Sequence, residues 1–135
     1  MSDGYLVDIL ALVPMNMQSY MGELAAAVPG HVKRFISVEE MVHDFDEAFY
    51  AVALIPATGF SPEEWWAIWG FLNDMDPRPN IIVYALRSDF EMWTSVLEAG
   101  CFDLIVAPFT VDKLRRVIES AFAEFARREK TGPSD

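Results

Sequence analysis

Cysteine is almost missing from this chain: Cys101 is the only one in 135 residues. A lone thiol has no partner for an internal bridge, so the fold does not rest on disulfides and nothing demands an oxidising compartment; a cytoplasmic setting is expected. Histidine is nearly as rare, and neither His31 nor His43 stands at metal-ligand or catalytic-triad spacing with Cys101 or with a serine in a nucleophile turn. Positive charge is scarce too, with 10 basic against 21 acidic residues and a formal charge of −11. Such a surface repels phosphate backbones and anionic headgroups, which disfavours direct nucleic-acid or membrane binding. The 7 glycines are scattered, so no phosphate-cradling loop is formed and no nucleotide cofactor is expected. The longest uncharged runs, near 9–22 and 48–62, are broken by proline and fall short of the roughly 20 apolar residues that span a bilayer. The opening MSDGYLVDIL lacks the basic and then cleanly apolar segments of a secretory leader, so export is not expected.

What the chain does have is apolar residues, 53% of the total, enough to fill the core of one domain. Five short runs carry the β-branched and aromatic bias of strands, at 5–13, 32–36, 50–55, 81–86 and 104–106. They are too continuously apolar for half-exposed strands, and segments of helical period lie between them. That alternation predicts a single α/β domain of (βα)5 type, a parallel sheet with helices on both faces. It should occupy 1–126, leaving the polar RREKTGPSD of 127–135 as a frayed tail or the start of a linker.

Helix boundaries are written locally. Ser37, Ser61 and Ser88 are each followed three residues later by glutamate, the pattern of a capping box, and Pro62 suits a first turn. Thr110 is the expected N-cap of the last helix, whose apolar stripe is Val111, Leu114, Ile118, Ala121, Phe122 and Phe125. Pro29-Gly30 should close the first helix, Asp76-Pro77 should follow the third, and Gly100 suits the left-handed position after the fourth.

Candidate binding residues are few. Asp44, Asp46 and Glu47 form an acidic cluster without the glycine and terminal glutamate of a calcium loop, so a solvated loop is expected. The basic residues gathered near the chain's end complement the dipole of the last helix. In PEEWWAIWGFLNDM, residues Trp65, Ile68, Leu72 and Met75 make a core-facing stripe, which leaves Trp66 on the face of Gly70 and Asn73 and at least partly exposed. Exposed tryptophan favours binding; the alternative is that Trp66 and Trp69 fold over the helix edge and shield the sheet.

The stretch NIIVYALRSDFEMWTSVLEAGCFDLIVAPFTVDKLRRVI resembles the second half of a bacterial response-regulator receiver domain. The likeness lies in a strand followed by a helix ending in LEAGC at 97–101, a short strand, and Ala107-Pro108-Phe109 leading into the last helix. The resemblance implies the flavodoxin-like, doubly wound fold of CheY-like domains, with five parallel strands in the order 2-1-3-4-5. It also implies a phosphoryl-accepting aspartate after the third strand, an acidic pair after the first to hold Mg²⁺, a hydroxyl after the fourth, and a lysine before the proline. At those positions this chain carries Ile55 and Pro56, Pro14 and Met15, Ala85, and Ala107. All four roles are missing, and Thr58 reads as a turn residue rather than a substitute acceptor. No catalytic residue, no metal ligand and no Mg²⁺ are therefore expected, and the chain reads as a pseudo-receiver, not an enzyme.

Such a domain would act by protein–protein contact or dimerisation, independently of phosphate, in bacterial signal transduction or transcription regulation. The candidate interface comprises Trp66, Trp69 and the face of the fourth helix, fifth strand and fifth helix, where Glu98, Asp103, Lys113, Arg115 and Arg116 carry both signs of charge. Mixed charge suits a twofold homodimer, although exposed ion pairs contribute only about 0–1 kcal/mol and a merely solvated face is as simple. The alternative is a small-ligand sensor, with Pro14, Met15, Ile55 and Ala107 lining an apolar pocket at the carboxyl ends of the strands.

Overall fold

The computed structural model describes residues 8–20, 32–44, 50–57, 61–75, 78–85, 90–107 and 109–130. Each apolar run becomes a strand: β1 (Asp8–Leu12), β2 (Val32–Phe35), β3 (Tyr50–Pro56), β4 (Asn80–Ala85) and β5 (Asp103–Val106). All neighbours pair in parallel, in the order β2-β1-β3-β4-β5. The connecting helices are α1 (Val38–Asp44), α2 (Pro62–Asn73), α3 (Phe90–Ala99) and α4 (Val111–Lys130). After β1 the described chain forms a 3-10 helix, Met15–Tyr20. The first helix expected from the sequence, with its Pro29-Gly30 stop, otherwise lies outside the described residues, as do Ser88, His31, Asp46, Glu47, Thr58, Asp76, Pro77 and Pro108.

The strands read as continuous apolar runs because both faces of the sheet are covered. Ile9, Ala11, Val52, Leu54, Ile82 and Ile105 pack with Leu114, Ile118, Ala121 and Phe125 of α4. Their alternate neighbours Leu10, Leu12, Ala53, Ile55, Ile81, Val83 and Leu104 pack with Met41 of α1 and Ile68, Trp69 and Leu72 of α2. Strand period two thus sorts one sequence into two cores, each buried Leu or Ile contributing about 1.5–3 kcal/mol.

The local signals place the helix ends. Ser61 Oγ accepts from the Glu64 amide at 3.1 Å while Glu64 accepts from the Ser61 amide at 2.9 Å, a complete capping box. At α1 the Ser37 half of the box forms, but the Glu40 carboxylate reaches one residue further back, to the Ile36 amide at 2.7 Å. Thr110 caps α4 through the Lys113 amide, and Gly100 takes a φ of 102° after α3.

The expected boundary at 126 is overrun, since α4 continues to Lys130. The reason is tertiary: Arg128 donates to the Arg78 carbonyl at 2.6 Å and lies over the Phe125 ring, so the end of the helix is held against the start of β4. Asn80 adds a second tie, its amide donating to the Ala121 carbonyl at 2.9 Å and to Glu124 at 2.8 Å.

Candidate functional site

Three backbone hydrogen bonds extend the ladders one residue beyond the strands. Val13 donates to Phe35, Ala57 to Tyr84, and Ala107 to Ala85, at 2.8–2.9 Å. They bring the residues that follow β1, β3, β4 and β5 together along one carboxyl edge. In an open parallel sheet the natural crevice lies at this edge, beside the strand where the order reverses, here β1.

Two side chains bond backbone carbonyls at this edge. Tyr84 is buried, and its hydroxyl donates to the Leu12 carbonyl at 2.7 Å while its ring meets Phe109 edge-to-face at 5.9 Å. Burial pushes the phenol well above its ordinary pKa, so it remains a neutral donor. Gln18, on the 3-10 helix, donates to the Val13 carbonyl at 2.6 Å. The carbonyls of Leu12, the last residue of β1, and of Val13 beyond it are therefore engaged by the chain's own side chains.

No family model matches this sequence, and no curated protein matches it by sequence. Solved structures match it throughout. A protein described as pilus assembly-related from Burkholderia pseudomallei superposes with a TM-score of 0.72 at 16% identity, over 92% of this chain and 95% of that one. The response regulator DrrB of Thermotoga maritima, an OmpR/PhoB homolog, gives 0.70 at 22% identity, over 96% of this chain and 56% of its own length. A CheY-like receiver domain protein from Methanospirillum hungatei gives 0.70 at 17% identity, over 94% and 99%. The fold is that of a response-regulator receiver domain.

Within this receiver fold the positions singled out from the sequence converge on the carboxyl edge, but their side chains go different ways. Ile55 is fully buried in the core beneath α2, Pro56 and Ala85 are buried, Ala107 packs toward the α4 core, Pro14 is half-buried, and Met15 is 74% exposed. The pocket expected from Pro14, Met15, Ile55 and Ala107 is therefore not assembled: Ile55 and Ala107 belong to opposite faces of the sheet, and Met15 faces solvent. Mg²⁺ requires oxygen ligands in near-octahedral array, and the side chains of Pro14, Met15, Ile55 and Pro56 offer none. Among the described residues no group of three or more His, Cys, Asp or Glu is placed to hold a metal. These residues do not fit the ion.

The two parts of the candidate interface also separate. Trp66 is 51% exposed, whereas Trp69 is 8% exposed and stacks on Trp65 with ring centroids 5.3 Å apart. Trp69 is thus a core residue, because the stripe turns to bury 68, 69 and 72, while Trp65 is half-buried with its indole donating to the Pro56 carbonyl at 3.0 Å. On the face of α3, β5 and α4, residues Glu98, Arg115 and Arg116 are exposed, with exposed Leu97 next to Glu98 in sequence. Asp103 and Lys113 are half-buried and engaged at home, Asp103 accepting from the Leu104 amide and Lys113 donating to the Val106 carbonyl at 2.6 Å. Arg115 meets exposed Asp112, at 3.5 Å.

Sequence reasoning missed Tyr84, Gln18 and the inward turn of Lys113. A tyrosine in an otherwise apolar buried strand was the available signal, since its hydroxyl must find an acceptor. Cys101 is half-buried, with its thiol pushed up to about 11 mainly by burial and further by Asp103, which leaves it a poor nucleophile at neutral pH.

Proposed function

We infer that this chain is a regulatory domain of receiver fold that works by binding protein partners, in bacterial signal transduction or transcription regulation, without aspartyl phosphorylation. The single observation that carries this reading is the carboxyl edge itself. Ile55 and Pro56 are buried where an acceptor would stand, Pro14 and Met15 stand where a metal would need carboxylates, and Ala85 and Ala107 lack the hydroxyl and ammonium that would offset phosphoryl charge. The Tyr84 to Leu12 hydrogen bond supports it further, because an internal donor already engages a backbone carbonyl at this edge. DrrB and the Methanospirillum protein are response-regulator and receiver proteins by description, which supports the regulatory setting.

Acetyl phosphate or beryllofluoride with Mg²⁺ tests the reading. Light scattering across a concentration series and amide NMR shifts should be unchanged by either reagent. Shifts clustered around Ile55, Ala85 and Ala107 on adding beryllofluoride would sink it. A concentration-dependent mass lost in Arg115→Glu would support self-association through the α3, β5 and α4 face.

A further inference from the structure

Helix α2 departs from two local rules without any return inside the fold. Gly70 stands within the last turn of the helix, where its backbone freedom weakens the element, yet a Cβ there would meet no atom within 4 Å. Neither crowding nor backbone conformation requires glycine. Asp74, the C-cap, sets a carboxylate at the negative end of the helix dipole, and no basic residue occupies the last turn. Local rules broken without internal compensation mark functional positions.

These two residues share a surface. At 100° per residue Glu63, Trp66, Ala67, Gly70 and Asp74 fall within one arc of about 100°, and all five are exposed. Trp66 is the apolar centre. Its ring is held edge-on by Trp65, with centroids at 5.0 Å and planes at 86°, and by Trp69 at 6.3 Å and 77°. A ring already fixed by two neighbours loses little freedom on binding, which suits it to serve as an anchor. Beside it Ala67 and Gly70 leave the helix backbone open to close approach. Carboxylates bound the stripe at both ends, about 16 Å apart along the axis.

We propose that this stripe of α2 docks a cationic amphipathic helix from another protein, with an apolar or arginine side chain on Trp66, its backbone close over Ala67 and Gly70, and its basic residues facing Glu63 and Asp74. Charge complementarity selects that occupant: the apolar centre is bounded by acids on a chain of net charge −11. The proposal rests on the reading of the chain as an interaction module and names its surface and its partner's chemistry.

Isothermal titration of the full chain with a synthetic Arg/Leu amphipathic helix, and with its Glu/Leu twin, tests it. Any acidic surface attracts a cationic peptide, so the decisive comparison uses variants of unchanged net charge. Trp66→Ala and Gly70→Leu should each weaken binding of the cationic peptide by about tenfold or more, whereas Val42→Ala, which removes an exposed apolar side chain on α1, should stay within about twofold. A Cβ at this exposed position meets open space, so the Tm of Gly70→Leu should hold or rise, and with the Tm held, lost binding is not unfolding. Equal affinity across wild type and both variants overturns the proposal. So does preference for the acidic twin, or a dimer abolished by Trp66→Ala, which would give the face to a second copy. A chain that answers beryllofluoride yet keeps Trp66-dependent binding would sink only the phosphate-independent reading, so the two failures are distinguishable.

Discussion

The phenol of Tyr84 on β4 donates a 2.7 Å hydrogen bond to the carbonyl of Leu12 at the end of β1, crossing the intervening strand β3. Removing the hydroxyl in Tyr84→Phe keeps the ring on Phe109 and leaves a buried carbonyl short of a donor. Stability should fall by about 1–2 kcal/mol, read as a lower urea midpoint with an unchanged m-value. An unchanged midpoint would show that the bond contributes nothing.

Alkaline pH should destabilise the fold. Burial raises the pKa of the Tyr84 phenol and, with help from Asp103, that of the Cys101 thiol to about 11. The folded chain therefore keeps these protons where the unfolded chain has released them. The stabilisation is complete below the unfolded values, about 9 for the thiol and about 10 for the phenol, and is lost as pH rises above them. Urea melts from about pH 8 to about pH 11 should show this decline, and Tyr84→Phe should make it shallower.

Asn80 carries a buried side-chain amide that joins β4 to α4 through Ala121 and Glu124. Asn80→Ala leaves the Ala121 carbonyl and the Glu124 carboxylate to rearrange. The cost should be about 1–3 kcal/mol, with faster amide exchange in the last turns of α4.

The carboxyl edge should be open to change on one side and closed on the other. Met15→Asp, at an exposed position, should alter stability by no more than about 0.5 kcal/mol. Ile55→Asp puts a carboxylate into the core beneath α2, and the loss should reach about 4 kcal/mol or more, visible as a collapsed thermal transition. Equal tolerance at both positions would show that the acceptor site can be rebuilt one residue at a time.

Gly70→Ala should stabilise α2 by about 0.5–1 kcal/mol, since the added methyl meets open space and the helix gains propensity. A lower Tm would mean that the glycine serves the fold itself.

Much of the architecture was legible because it is local. Ser61 and Glu64 close their capping box across three residues, Thr110 caps α4 at the same spacing, and Gly100 answers a backbone need at its own position. The candidate positions were legible as a set, since Pro14, Ile55, Ala85 and Ala107 lie at or just past the carboxyl ends of strands that the parallel register aligns. Which way each side chain turns was not. Helical periodicity placed Trp65 in the core stripe and left Trp69 at its edge, whereas packing under the sheet buries Trp69 and leaves Trp65 only half-covered.

By itself the sequence determined five buried strands, the helices that follow β2, β3, β4 and β5, and the residue types that stand at the strand ends, because each depends on residue type and short spacing. Only the tertiary structure decided that Tyr84 reaches Leu12, 72 positions away, that Lys113 turns inward to Val106, that Arg128 ties the end of α4 to the start of β4, and that Trp66 alone of the three contacting tryptophans is more than half exposed. These contacts join groups distant in the chain or choose between neighbouring helix faces. Their partners are set by how the two cores fill, a property of the packed layers that no local pattern encodes.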